Sequence, residues 1–125
     1  MPAITFFNFN CMQSSTITID ILLDKDKIPE QIRWQADNTT VEEAQNAKAI
    51  MLSVWDGVDK SALRIDLWTK GMMVDEMADF FYQTIMSMAD TYDRATHQQD
   101  LVSDMKKFAK DFYNKFRATQ LKENR

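Results

Sequence analysis

Apolar and polar side chains alternate along residues 16–24, where isoleucine or leucine occupies each odd position inside the segment. A period of two is that of a strand with one buried face, so these residues predict a first strand. A charged turn at residues 24–27 and Pro29 follow, and the alternation returns over residues 32–37. The sequence therefore predicts a second strand that runs antiparallel to the first.

Residues 40–54 carry two competing signals. Thr40 and Glu43 have the spacing of a helix capping box, whereas residues 49–54 form an apolar run, broken only by Ser53, that is typical of a buried strand. We expect a short helix near residues 41–46, followed by a strand.

The segment after this apolar run predicts a β-hairpin. Residues 56–61 are turn-forming, and residues 63–68 again alternate apolar with polar side chains. Trp55 and Trp68 are then expected near the two ends of the hairpin.

After Gly71 the apolar period changes from two to about 3.6, which indicates amphipathic helices. A polar connection at residues 96–99 separates two apolar stripes. The first stripe consists of Val74, Met77, Phe81, Ile85, Met88 and Tyr92. The second consists of Leu101, Met105, Phe108, Phe112 and Phe116.

The order of these elements predicts an α+β fold. We expect an antiparallel meander sheet of about four strands, covered by two C-terminal helices in a two-layer arrangement. At 125 residues the chain has the size of one domain, which we place at residues 14–120. Residues 1–13 are then an N-terminal extension outside the fold, and residues 121–125 a frayed tail.

The charge distribution argues against a nucleic-acid partner. The net charge is −4, so neutralisation of phosphates by the chain as a whole is disfavoured. Residues 106–125, however, hold seven basic and two acidic residues, a local charge of +5 that leaves −9 for residues 1–105. This basic end either complements the dipole of the last helix or meets an acidic partner or an anionic membrane surface.

Cys11 is the only cysteine, so the chain cannot form an internal disulfide and fits a reduced compartment. No apolar run reaches the roughly 18 residues that a membrane span needs. We therefore expect a soluble cytoplasmic protein.

The residues that usually carry chemistry are sparse. His97 is the only histidine and lies in a polar connection, where a solvated turn residue is the expected role. Cys11 has no cationic neighbour in the sequence to activate it, and two glycines cannot build a phosphate-binding loop. We predict no enzyme activity, no catalytic residue, no cofactor and no metal site.

One surface has the residue types of a protein-binding site. Trp55, Arg64, Asp66 and Trp68 are expected on the predicted hairpin, and tryptophan and arginine are enriched at interaction hot spots. The alternative is that Asp66 belongs to a cross-strand ion pair on a solvated sheet face.

Five short segments, which occur in order along the chain, resemble the GldC family of gliding-motility proteins of the Bacteroidetes. They are KIPEQIRW (27–34), LSVWD (52–56), LRIDLWTK (63–70), VDEM (74–77) and MADTYDRAT (88–96). The resemblance implies an accessory role in gliding motility, with protein partners in the motility or secretion machinery, and it identifies no catalytic or ligand-binding residue.

Two further expectations concern assembly and an alternative role. Wide apolar helical stripes predict a homo-oligomer. The order of a four-stranded sheet followed by two helices is also similar to that of the export chaperone SecB, which makes a chaperone of envelope or secreted proteins the alternative function.

The N-terminal extension has two interpretations. Sequences of the GldC family usually begin their first strand directly after the position of Met12, so residues 1–11 are expected to lie outside the native protein. The competing interpretation is an uncharged, phenylalanine-rich arm that pairs with a sheet edge.

Overall fold

The structure is a computed structural model that describes residues 12–37 and 43–123. Within these residues the chain forms five strands and two helices and divides into two compact units, one up to Met72 and the other from Met73 onward. The first unit contains β1 (Ile17–Leu23), β2 (Pro29–Ala36), β3 (Gln45–Ala47), β4 (Ala49–Asp56) and β5 (Ser61–Trp68). The second contains α1 (Val74–Thr96) and α2 (Gln99–Glu123).

The first sheet is antiparallel and has the order β1-β2-β3. Its register places Ile21 opposite Ile32 and Ile19 opposite Trp34, so the apolar positions of both alternating segments share one face. Ile32 lies on the central strand and is the one large side chain that is fully buried among the described residues. The predicted antiparallel pairing of the first two strands is confirmed.

The predicted short helix near residues 41–46 is wrong for the part that the structure describes. Gln45–Ala47 is a strand that pairs with β2, and Gln31 Nε2 donates a hydrogen bond of 3.0 Å to Asn46 Oδ1 across the pair. Residues 41 and 42 lie outside the described residues. The capping-box signal is a weak local preference, and the pairing of residues 45–47 with residues 32–34 of β2 overrides it.

The second sheet is the hairpin of β4 and β5. In its turn, Asp56 Oδ1 accepts hydrogen bonds from the N–H groups of Val58 and Asp59, at 2.9 and 3.2 Å. Lys60 has a left-handed backbone (φ 53°) and donates its N–H to the carbonyl oxygen of Asp56, at 2.8 Å. An aspartate that binds backbone groups two and three residues ahead is a common turn-former, which is why this polar segment reverses the chain.

The turn between β1 and β2 is built in a similar way and is tied to the end of the hairpin. Asp24 Oδ1 accepts from the N–H groups of Asp26 and Ile28, at 2.7 and 3.0 Å, and Asp24 Oδ2 forms an ion pair with Lys70. The hydrogen bond from Lys70 and the one from the Ile28 N–H hold the pKa of Asp24 below its ordinary value of 3.8. The same pair raises the pKa of Lys70.

We expect the Asp24→Asn variant to lose part of the acid sensitivity of the protein. A carboxyl group with a depressed pKa stabilises the fold above its unfolded pKa, and this stabilisation is lost as the pH falls below about 3.8. Asparagine keeps the Oδ1 acceptor of the turn and removes the charge. The measurement is the free energy of urea unfolding from neutral pH down to about pH 2. The values for the wild type and the variant should converge as the pH falls, and a constant difference between them would contradict the role of Asp24.

The second unit is a pair of antiparallel helices that meet through small side chains. Ala78 and Ala89 of α1 and Val102 and Ala109 of α2 are buried. The rings of Tyr82 and Tyr113 lie 4.9 Å apart between their centroids, and Asp90 Oδ1 forms an ion pair with Lys106 Nζ at 2.9 Å. Small residues allow the two backbones to approach closely, so the alanines form the centre of this interface.

His97 ends α1. Its backbone is left-handed (φ 57°), its N–H donates to the carbonyl oxygen of Asp93 at 2.8 Å, and its side chain is exposed. The predicted solvated turn residue is confirmed, and the position is one that glycine occupies in many helices.

We expect His97→Gly to raise the free energy of unfolding of the helical unit by about 0.5–1 kcal/mol. Glycine adopts a left-handed backbone without the steric cost that other residues incur, and this gain exceeds its larger loss of chain entropy. His97→Ala is the matched control, since it removes the imidazole and keeps the strain. Thermal unfolding followed by far-UV circular dichroism measures both variants, and equal stabilities of the glycine and alanine variants would refute the prediction.

The α+β prediction, with antiparallel strands and two C-terminal helices, is confirmed, and the strands are distributed over two sheets. The strand at residues 49–56 and the hairpin that follows it are also confirmed. The last helix extends to Glu123, into the range predicted as the tail. A single domain over residues 14–120 and fraying of the tail stay predictions, and residues 1–11 lie outside the described residues.

Candidate functional site

The four residues predicted as a partner surface lie on one face of the β4–β5 hairpin. In the register, Trp55 stands opposite Ala62, Arg64 opposite Ser53, and Asp66 and Trp68 lie further along β5. Since side chains two residues apart share a face of a strand, this face also includes Met51 and Ala49. We call the surface formed by these four residues the tryptophan face: Trp55, Arg64, Asp66 and Trp68.

The tryptophan face is long and has an aromatic side chain at each end. Trp55 lies beside the turn, whereas Trp68 pairs with Ala49 at the open end, six residues along β4 from Trp55. At about 3.4 Å per residue the two tryptophans stand roughly 20 Å apart. Both are more than half exposed, at 68% and 58%. The predicted positions at the two ends of the hairpin are confirmed.

An ion pair occupies the middle of this face. Arg64 Nη2 lies 3.0 Å from Asp66 Oδ1, and both side chains are about half exposed, at 50% and 46%. The pair lies within β5, so the expectation that Asp66 forms a cross-strand ion pair is wrong. Side chains at i and i+2 of one strand point to the same side, and no cation stands opposite Asp66, whose cross-strand neighbour is Met51.

The electrostatics of the pair are those of a surface contact. The hydrogen bond from Arg64 to Asp66, together with the charge of the carboxylate, raises the pKa of Arg64 above its ordinary value. Exposed ion pairs contribute little to stability because water screens them and both side chains lose freedom. This pair therefore places two opposite charges between Trp55 and Trp68 and adds little to the stability of the fold.

The other polar groups considered in the sequence have structural positions. His97 ends a helix, and Asp24 and Asp56 build turns. In the described part of the chain, no group of three or more histidine, cysteine, aspartate or glutamate side chains could hold a metal ion. Cys11 lies outside the described residues.

The structure also contains two apolar surfaces that the sequence interpretation missed. One is the opposite face of the hairpin, where leucine, isoleucine and valine side chains from both strands are exposed. The other is an open groove of ≈ 670 Å³ on the helical unit. It is lined by Phe80, Gln83, Thr84, Ser87, Met88, Thr91, Tyr92, Ala95 and Met105, all uncharged. The alternation of Ile50, Leu52 and Val54 in β4 with that of Leu63, Ile65 and Leu67 in β5 is the signal for the apolar face of the hairpin.

Among the described residues, neither helix is long and apolar enough to cross a membrane. A comparison with protein families finds a match over residues 29–118 to the family described as gliding motility-associated protein GldC-like. The matched range begins at β2 and ends within α2, so it includes the tryptophan face and the helical pair. No curated protein and no solved structure matches the chain.

Proposed function

Because the chain belongs to the GldC-like family of gliding motility-associated proteins, we propose that it is a non-enzymatic accessory protein of bacterial gliding motility. It acts by binding other proteins, and its partners are components of the motility machinery or of the secretion machinery linked with it. The family match over residues 29–118 is the observation that supports a role in gliding motility. The proposal that the protein acts by binding other proteins rests on the tryptophan face.

The tryptophan face supports a protein as the partner. Two exposed tryptophans supply large apolar contact area, and the arginine between them supplies directional hydrogen-bond donors. Such residues dominate the binding energy at protein interfaces. A separation of roughly 20 Å between Trp55 and Trp68 matches the footprint of a folded surface better than that of a small molecule.

The non-enzymatic part of the proposal rests on what three polar residues do in the fold. The carboxylates of Asp24 and Asp56 accept backbone hydrogen bonds in turns, and His97 is the residue that ends α1. The two carboxylates are engaged in holding the turns, whereas His97 contributes only its backbone N–H and its side chain is exposed. No cofactor enters the proposal, and the location proposed is the cytoplasm, where a chain with a single cysteine keeps its thiol reduced.

Affinity purification from native cells tests this proposal. The wild-type chain and the Trp55→Ala/Trp68→Ala variant are tagged, expressed at equal levels, and compared by mass spectrometry of the co-purified proteins. Phe108→Ala is the matched control, because it removes an aromatic side chain of similar exposure (60%) from a different surface. The proposal predicts that motility or secretion components co-purify with the wild type and the control, and are depleted from the tryptophan variant.

Two results would contradict the proposal. Recovery of the same components with all three chains would show that the tryptophan face is not part of the binding site. Recovery of many unrelated, unfolded envelope proteins would instead favour the chaperone alternative.

A further inference from the structure

Strand β5 has a backbone edge that faces away from its hairpin partner. Among residues 12–37 and 43–123, β5 pairs with β4 alone. The Thr69 N–H donates to the carbonyl oxygen of Lys48 at 2.8 Å, so the pair just beyond the end of β5 is a hydrogen-bonded one. Hydrogen-bonded and non-hydrogen-bonded pairs alternate in an antiparallel ladder. Residues 62, 64, 66 and 68 therefore turn their N–H and carbonyl groups away from β4, and this edge is a template for another strand.

The sequence of β5 is complementary to itself when two copies run antiparallel. A register centred on Ile65 brings all four outward-facing residues of one copy opposite those of the other. The pairs are Ile65 with Ile65, Leu63 with Leu67, Arg64 with Asp66, and Ala62 with Trp68. Apolar side chains thus meet apolar ones on one face of the sheet. On the other face, opposite charges meet each other and a large side chain meets a small one.

The charges of Arg64 and Asp66 point to a second copy of this chain as the partner. In the register above, Arg64 of each copy stands opposite Asp66 of the other, in a hydrogen-bonded pair whose Cα atoms lie about 5.5 Å apart. The ion pair inside one chain joins Arg64 Nη2 to Asp66 Oδ1. Because a guanidinium has five N–H donors and a carboxylate has two oxygens, each group can bind both its own neighbour and its counterpart in the second copy. The four charges then alternate in sign around the axis.

The other sheet edges in the described part of the chain do not have this property. They lie on β1, β3 and β4, and none of these strands contains a basic residue. Two copies of any of them can pair without gaining an attraction between opposite charges. Charge complementarity therefore selects the edge of β5.

We propose that this protein forms a homodimer in which the β5 strands of two copies pair antiparallel about Ile65, so that two hairpins become one sheet of the order β4-β5-β5-β4. The inference goes beyond the motility role and does not depend on it. A lone hairpin is marginally stable in water, whereas a sheet of three or more strands with an apolar face is stable. The two-fold axis makes the contact isologous, with the same residues contributed by both copies.

The dimer has a consequence for the tryptophan face. Trp55 stands opposite Ala62 within the hairpin, and the proposed register puts Trp68 of the second copy on the other side of Ala62. Adjacent strands are about 4.8 Å apart, so these two tryptophans lie roughly 10 Å from each other across a small residue. The two-fold axis repeats the arrangement. Each partner-binding surface then contains a tryptophan from both copies.

The first test is the mass of the full chain in solution, measured by sedimentation over a dilution series. The wild type should have twice the mass of one chain at micromolar concentration. Arg64→Asp and Asp66→Arg should each raise the dissociation constant by about tenfold, because each puts two like-charged pairs across the axis. Lys115→Asp is the control, since it makes the same charge change as Arg64→Asp at an exposed position of α2 and should leave the dimer intact. A monomeric wild type would overturn the proposal.

The second test separates the contact between copies from the ion pair inside one chain, because both single variants break the ion pair. When the Arg64→Asp and Asp66→Arg variants are mixed in equal amounts, the two aspartates of one copy face the two arginines of the other. The mixture should form a heterodimer whose dissociation constant is close to that of the wild type. Mixing does not repair a contact within a chain. A mixture that dissociates as readily as either variant alone is therefore incompatible with the proposed pairing.

A cross-link locates the axis. In a Cys11→Ser background, Ile65→Cys should form a disulfide between two copies under mild oxidation, because the Cα atoms of a non-hydrogen-bonded pair lie about 4.5 Å apart. Leu52→Cys is the control. Leu52 stands opposite Ile65 in the same hairpin, on the same face and with a similar exposure (41% against 54%), and it should stay reduced. Equal cross-linking of both variants would place the contact on the face of the hairpin instead of its edge and overturn the proposal.

Discussion

Replacing Ile32 with alanine is expected to lower the free energy of unfolding of the sheet unit by about 2–5 kcal/mol. Ile32 is fully buried on the central strand of the three-stranded sheet, where Ile21 and Ala47 stand on either side of it. Truncation removes three buried carbon atoms and leaves a cavity that the paired backbones prevent from collapsing. Urea unfolding followed by tryptophan fluorescence measures the loss, since Trp34, Trp55 and Trp68 all lie in this unit.

Ile17→Ala is the control for this prediction. The chemical change is the same and the residue lies on the same sheet, but the side chain is 69% exposed. Its loss should stay below about 1 kcal/mol. Similar losses at Ile17 and Ile32 would mean that the face around Ile17 is buried in solution and that the core is larger than the one described.

Replacing Ala109 with leucine is expected to destabilise the helical unit by about 1–3 kcal/mol. Ala109 is completely buried, as is Ala89 on α1. A leucine at this position must push the two helices apart or force strained rotamers, because a close-packed interface has no space for three more carbon atoms. Far-UV circular dichroism during urea unfolding reports on this unit, which is helical from Val74 to Thr96 and from Gln99 to Glu123.

Ala118→Leu provides the comparison within the same helix. Ala118 is exposed, so the same substitution there should change the stability by no more than about 0.5 kcal/mol. If Ala109→Leu is as stable as Ala118→Leu, the two helices do not meet through their alanines.

The strands could be predicted from the sequence because alternation reports on the backbone directly. Residues 16–24 and 32–37 have a period of two, and both are strands of one sheet with their apolar positions on a common face. The hairpin was predictable for the same reason, and the turn-forming segment that begins at Asp56 indicated where the chain reverses. The strand Gln45–Ala47 was not, because three polar and small residues have no period to recognise.

The buried faces of the helices were harder to predict. The predicted apolar stripes consisted mostly of large residues. Four of these residues are about half exposed or more: Val74, Met88, Leu101 and Phe108. The buried positions are instead Ala78, Ala89, Val102 and Ala109. Counting apolar volume favours methionine and phenylalanine as core residues. A helix pair that packs closely selects small residues instead, and only the position of the partner helix decides which face that is.

The candidate site was predictable to a similar degree. The tryptophan face was predicted residue by residue, since alternation assigns Trp55, Arg64, Asp66 and Trp68 to one side once the turn is known. The exposure of the leucine, isoleucine and valine side chains on the opposite face was missed because an apolar run predicts burial. The sequence does not reveal that, among the described residues, β4 and β5 pair with no further strand.

Gliding by native cells is the most direct test of the central claim, that this protein serves motility through the tryptophan face. The chromosomal gene is replaced by the Trp55→Ala/Trp68→Ala variant or by Phe108→Ala, protein levels are compared by immunoblot, and the speed of single cells on glass is measured. We expect the tryptophan variant to be present at wild-type level and to glide as poorly as a deletion strain, while the control glides normally. Wild-type speed in the tryptophan variant, or in the deletion strain itself, would contradict the claim.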